Sequence, residues 1–384
     1  MLRKLLLLFA LANMAWVVAG QDEYLKAEAE DGEKTYKGGE AYEVKIYPQK
    51  FKSNKPKNII FMIGDGMGVG HVFAAHTANR GQLFLDNFKH IGFSTTQSAS
   101  DFVTDSSAGG TALSSGVRTY NGGLGVNRDT VAVKSILENA EDKGLATGLV
   151  STSAITHATP ASFIAHQPSR SMYENIALDF LKTDIDVFIG GGLSHFIKRK
   201  DGRNLLEDLE KNNYRVETDL DKIATVKSGK LAGLTADIHN GRIAERGDML
   251  PVATETAINI LSNNKKGFFM MVEGSQIDWG AHANSTIQVI EETLDFDKAI
   301  GKALDFAAKD GNTLIVITAD HETGGLSFSG GDIETGMIKG IYATKSHSAV
   351  MVPVFAYGPG AENFTGIMKN TDIHDKMKAL LLGK

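Results

Sequence analysis

Residues 59–63, Ile-Ile-Phe-Met-Ile, form an unbroken apolar run that opens with Asn58 and leads into Gly64-Asp65. A strand with one wet face alternates apolar and polar side chains. A run without alternation belongs to a strand buried on both faces, as in a parallel sheet covered by helices on each side. Similar runs recur at 145–150, 185–189, 268–272, 313–318 and 352–357. Between them lie segments of helical pattern at 130–143, 173–181 and 251–262, and a longer one in which Ile287, Ile290 and Leu294 mark an apolar face running towards Gly311. Thr371 is placed to cap a last helix to Leu382. Strands alternating with helices predict an α/β chain: a three-layer α/β/α sandwich around a mostly parallel central sheet.

The 384-residue length suits one large α/β unit. Residues 1–20 read as a signal peptide: Arg3 and Lys4, then an apolar stretch broken by Asn13, then Val18-Ala-Gly20 before a polar start. Export to the periplasm or the extracellular space is therefore expected, with no membrane attachment after cleavage. Residues 21–56 read as an N-terminal arm carrying one edge strand around Tyr42 to Tyr47, and 57–384 as the main domain. The charged, weakly periodic stretch 195–249 reads as an insertion in that domain. Losing Arg3 and Lys4 takes the formal charge from -6 to -8, which disfavours nucleic acid as a stable partner. The chain has no Cys, so thiolate ligands and thiol nucleophiles are excluded.

Three of the apolar runs end in acids: Asp65, Glu273, and Asp320 followed by His321. Ligands of parallel sheets bind outside the carboxyl ends of the strands, and three acids gathered there repel one another unless a cation separates them. Each taken alone could instead cap a turn or helix. Asp278 and His282, four residues apart, share a face if their segment is helical, and His347 lies in a Ser-rich stretch before the last apolar run. Asp and His together suit zinc. His71, His76, His90, His166, His195, His239 and His374 read as structural. Ser106, in Thr104-Asp-Ser-Ser-Ala-Gly-Gly110, stands at a helix start, where free N–H groups favour an anion; capping alone also explains it. No G-x-S-x-G element is present, which argues against a Ser-His-Asp hydrolase. The alternating glycines of Gly64-Asp-Gly-Met-Gly-Val-Gly70 miss the dinucleotide-binding spacing.

Together these residues resemble the alkaline phosphatase family. Asp105-Ser-Ser-Ala-Gly-Gly-Thr111, Asp320-His-Glu-Thr-Gly-Gly325, Glu273-Gly-Ser-Gln-Ile-Asp-Trp-Gly-Ala-His282, Ile63-Gly-Asp-Gly-Met-Gly68 and His157-Ala-Thr-Pro-Ala161 match its blocks in order. The resemblance implies hydrolysis of small phosphate monoesters through a phosphoserine at Ser106. It implies a first zinc on Asp278, His282 and His347, and a second on Asp65, Asp320 and His321. A third ion would sit on Asp65, Thr159 and Glu273, with Arg170 clamping phosphate and Asp105 orienting Arg170. His157 and Trp279 stand where the best-known bacterial members carry Asp and Lys, beside the third site, so magnesium, zinc and cobalt all remain open for that ion. A homodimer is compatible with the family. The competing readings are a phosphodiesterase on the same scaffold and a non-catalytic phosphate- or metal-binding protein; a sulfatase would need a C/S-x-P-x-R motif that the chain lacks.

Overall fold

The computed structural model describes residues 31–383; the predicted signal peptide lies outside them. Ten strands form the central sheet, in the order Gly366–Lys369, His90–Thr95, Val352–Tyr357, Thr313–Thr318, Asn58–Gly64, Phe268–Gly274, Ala146–Ala154, Val187–Gly191, Lys230–Ala236 and Tyr214–Glu217. Val352–Tyr357 runs antiparallel to both its neighbours, and the other pairings are parallel.

The Asn58–Gly64 strand is central and buried at every position. Its side chains divide between two cores. Ile60 and Met62 join the helices Met249–Leu261 and Thr286–Asp310 on one face; Ile59, Phe61 and Ile63 join Ile136–Asp142, Tyr173–Asp179 and Asn370–Leu382 on the other. This is the three-layer sandwich expected from the missing alternation. Gly311 ends the long helix in the left-handed conformation (φ 69°), where glycine carries no Cβ penalty.

Four local expectations differ from the structure. Residues 130–135 are not helical: the Asn127 side chain accepts from the N–H groups of Asp129 and Val131, tying a turn before the helix. The helix starts after Ser135, whose hydroxyl accepts from Glu138 N while Glu138 accepts from Ser135 N. That S-x-x-E capping box is the local signal that sets the boundary. Residues 42–47 form no strand. Their backbone is met by side-chain amides, Tyr42 N donating to Asn79 Oδ1 and Tyr47 N to Asn87 Oδ1. The arm's strand is Thr35–Tyr36, paired with Met337–Ile341 in a small separate sheet. Thr371 lies within the last helix, which Lys369 caps through its N–H to Asp372. Finally, 195–249, whose weak periodicity suggested no strands, supplies Lys230–Ala236 and Tyr214–Glu217 to the edge of the main sheet and so extends the sandwich. Among the described residues, no helix is long and apolar enough to cross a membrane.

Candidate active site

Parallel register brings the strand ends together: Ile63 pairs with Glu273 and with Thr318, and Ser151 also pairs with Glu273. Asp65, Glu273 and Asp320 therefore emerge side by side at the carboxyl edge of the sheet, each at 0% exposure. One oxygen of each (Asp65 Oδ1, Glu273 Oε1 and Asp320 Oδ2) has no hydrogen-bond partner. Buried polar atoms are normally paired, so these oxygens fit cation ligands and not caps.

Three ligand-like groups assemble here, each with its donor atoms within 4.8 Å of one another: Asp278, His282 and His347; Asp65, Asp320 and His321; and Asp65, His157 and Glu273. The Gln276–His282 helix puts Asp278 and His282 on one face, 3.3 Å apart. His347 arrives by a long-range device: Glu322–Thr323 pairs antiparallel with His347–Ser348. Its Nε2 lies 3.1 Å from His282 Nε2 and 3.6 Å from Asp278 Oδ1. Each imidazole has its Nδ1 against an oxygen: His282 on Lys345 O (2.6 Å), His347 on Thr104 O (2.9 Å), His321 on Thr323 Oγ1 (3.2 Å). Such contacts fix the ring and turn the Nε2 lone pair inward, as metal-binding histidines require. Asp278 Oδ1 accepts from Thr323 Oγ1 at 2.6 Å. Gly66, at φ 71°, lets the backbone pass under this group; a Cβ there would lie 2.9 Å from Asp278 Oδ1.

Thr159 sits beside the third group, its hydroxyl donating to Asp65 Oδ2 at 3.5 Å. Hydroxyl and carboxylate donors suit magnesium, whereas the imidazole of His157 would favour zinc or cobalt.

Ser106 opens the Ser106–Ser115 helix, and Asp105, not Ser106, is its cap, accepting from Ala108 N at 3.0 Å. Ser106 Oγ is thereby left to face His321 Nε2 at 3.2 Å. Gly109 allows the helix to lie close to Asp320; a Cβ would be 3.1 Å from Asp320 Cβ. Arg170 is set next to Asp105 by Gly122, whose N–H donates to Asp105 Oδ2 (3.0 Å) and whose carbonyl accepts from Arg170 N (2.9 Å). Arg170 Nη1 then donates to Asp105 Oδ2 at 3.2 Å, and Nη2 lies 3.2 Å from His157 Nε2.

Electrostatics follow from this crowding. Burial, then Asp320, Asp278 and Glu273, push Asp65 well above the usual carboxylate range. Burial raises Glu273 to about 7 and, with Asp278, Asp320 to about 7. Burial would raise Asp278 too, but His282, His347 and His321 outweigh it and hold Asp278 down. Asp105 is likewise held low against its burial by Arg170 and the hydrogen bonds of Ala108, Ser107 and Gly122. The first group is thus balanced by imidazoles, whereas the second and third are short of positive charge.

A family model for alkaline phosphatase matches residues 56–343. The chain belongs to the alkaline phosphatase family. It is 40% identical to alkaline phosphatase 3 of Bacillus subtilis, over 82% of this chain and 72% of that protein. It is 32% identical to the alkaline phosphatase of Escherichia coli, over 86% and 87%. The structure of the alkaline phosphatase from the Antarctic bacterium TAB5 superposes with a TM-score of 0.81 at 44% identity, covering 86% of this chain and 99% of that one. A variant of the TAB5 enzyme, solved with magnesium in its M3 site, superposes equally well (TM-score 0.81, 43% identity, 87% and 99% covered). Membership of the alkaline phosphatase family makes this chain a metal-dependent hydrolase of phosphate monoesters.

Some residues around this alkaline phosphatase site carry no sequence signal of their own. Thr323 and Glu322 lie inside the Asp320 block. Thr323 holds Asp278, while Glu322 accepts from Ser348 Oγ and so ties the ladder that carries His347. His71, His166, His195 and His374 each have a ring nitrogen in a hydrogen bond, with Gly68 N, Glu138, Thr156 and Asp375 respectively. His239 differs: its ring packs on Trp279 at 4.8 Å and on His157 at 5.6 Å.

Proposed function

We propose that this enzyme cleaves phosphate monoesters through a phosphoseryl intermediate at Ser106. Asp278, His282 and His347 would hold one zinc ion, and Asp65, Asp320 and His321 a second. Asp65, Thr159 and Glu273 would hold a third ion, magnesium on the all-oxygen set; zinc or cobalt there would require His157 to turn its lone pair from Arg170 to the ion. When bound, these ions favour the deprotonated forms of hydroxyl and water and offset negative charge on the ester oxygens. The observation that carries the reading is the Ser106 hydroxyl, 3.2 Å from His321 Nε2 at the edge of a buried, cation-hungry acid cluster.

The chain's own residues then do the rest. The helix start aims Ser106 Oγ at phosphorus. A Ser106 O–P bond forms as the P–O bond to the alcohol breaks, and the alcohol leaves with a proton. Water next cleaves the Ser106–phosphate ester, releasing inorganic phosphate and restoring the hydroxyl. Arg170 grips two phosphate oxygens with its planar fork, and Asp105 holds that fork still. Positioning and charge stabilisation supply most of the rate in such transfers.

Acid quenching during turnover of a chromogenic monoester, followed by peptide mass analysis, tests this. A phosphate on the peptide containing Ser106 is expected; a phosphate elsewhere, or none while turnover continues, sinks the assignment. Comparing monoester with diester hydrolysis separates the phosphodiesterase reading, since a diester's second substituent takes an oxygen that Arg170 would grip. We also read the chain as exported, to the periplasm or beyond, on the strength of its leader sequence.

A further inference from the structure

The loop after Lys230–Ala236 enters the site from the sheet's edge. Asn240 anchors it: Nδ2 donates to Thr152 O (3.2 Å), Oδ1 accepts from Thr235 Oγ1 (2.7 Å), and the Asn240 carbonyl accepts from Gln276 Nε2 (2.8 Å). The loop passes against Gly191 so closely that a Cβ there would stand 2.2 Å from Ile238 O. His239 is thus delivered between the end of one central strand and the Gln276–His282 helix. Ala154 N donates to His239 Nδ1 at 3.0 Å. That makes Nδ1 the acceptor and puts the proton of the neutral ring on Nε2.

Three rings then meet almost at right angles. His239 and Trp279 are 4.8 Å apart at 73°, His239 and His157 5.6 Å at 88°, and His157 and Trp279 6.2 Å at 87°. Edge-to-face contacts fix orientation as well as distance. His157 in turn meets Arg170 Nη2 at 3.2 Å. A guanidinium has only donors, so His157 Nε2 is the acceptor. One edge of the Arg170 fork therefore rests on Asp105, and the other on an imidazole held by two further rings.

We propose that His239 is a positioning residue for Arg170, acting through the ring cage with Trp279 and His157. The inference rests on Arg170 gripping phosphate, as proposed above. Fixing a flexible arginine before the anion arrives removes ordering cost from binding. It also keeps the fork aligned while charge develops on phosphorus. In this role His239 acts on Arg170 indirectly, through Trp279 and His157.

The test is calorimetric titration of inorganic phosphate into zinc- and magnesium-loaded enzyme, a readout independent of turnover. Four proteins are compared: wild type, Arg170→Ala, His239→Asn and the double variant. Asn retains an acceptor for Ala154 N–H but removes the ring. His239→Asn is expected to raise the phosphate Kd about tenfold, with metal content unchanged. In the Arg170→Ala background the same change should add nothing, because its effect runs through that arginine. A wild-type Kd in His239→Asn, or a full additional loss in the double variant, overturns the proposal. An unchanged Kd in Arg170→Ala alone removes the arginine reading and the inference with it. If His239→Asn does not fold, His239→Phe keeps a ring and loses the acceptor. It should melt lower yet bind phosphate as wild type does; a tenfold weaker Kd there would show that the ring cage is not what matters.

Discussion

Asp297 and Asp320 are equally shut away from solvent, both at 0% exposure, yet they keep different company. Asp297, on the long Thr286–Asp310 helix, has both oxygens occupied. Oδ2 accepts from Tyr42 Oη (2.5 Å) and Phe84 N (2.7 Å), and Oδ1 from Leu85 N (3.1 Å). It pins the N-terminal arm and the 84–87 turn to the body. Asp320 uses Oδ1 for Gly66 N and His321 N but leaves Oδ2 without a hydrogen bond, as Asp65 and Glu273 leave one oxygen each. Burial alone thus does not mark a functional acid. A buried acid whose oxygens are filled by the protein is structural; one whose oxygens are left open among other acids awaits a cation.

That contrast can be broken or sharpened by experiment. The largest effect belongs to the open side. Ser106→Ala should lower kcat on a chromogenic monoester by at least about 10³-fold while inorganic phosphate still binds by calorimetry; near-normal kcat would remove Ser106 from its role. Next, thorough chelation should abolish turnover and lower the melting temperature, because the acid cluster loses its compensation, and zinc plus magnesium should restore both. Activity that persists without metal would refute the distinction. Arg170→Ala should then cost roughly 10²-fold in kcat/KM, measured by steady-state kinetics.

On the filled side, the expected effects are on stability. Asp297→Ala strands two N–H groups and a tyrosine hydroxyl and should cost roughly 3 kcal/mol in denaturant titration, with kcat per folded molecule unchanged. A loss of kcat without a loss of stability would erase the line between the two classes. The smallest effect concerns the half-buried His166–Glu138 pair at 3.1 Å. The Glu138 hydrogen bond, against burial, raises His166 above its ordinary 6.5. Glu138, despite burial, is held below its ordinary 4.5 by His166 and Ser135. A raised histidine stabilises below its unfolded pKa and loses that contribution as pH climbs through the folded value; a lowered glutamate loses its own as pH falls. The pair should therefore contribute most between about 4.5 and 6.5, by no more than about 1 kcal/mol. Melting curves of wild type and His166→Gln should differ in that window and converge at higher pH.

Sequence by itself determined what is local. Five apolar residues in a row at 59–63 cannot hide on a half-wet strand, so they dictated a sheet with helices on both faces. The short blocks around Asp65, Ser106, Glu273 and Asp320 pointed to the site because strand ends and their acids are contiguous in the chain. Asp278 and His282 were legible for the same reason, being one helical turn apart. Tertiary structure alone decided the long-range parts. The two-residue ladder that brings His347 to His282, the sheet strands hidden in 195–249, and the approach of His239 to Trp279 depend on pairings between segments far apart in sequence. A lone histidine in a charged stretch carries no trace of the ring it will meet, because that contact is fixed by strand order and backbone clearance at Gly191, and neither is encoded next to it.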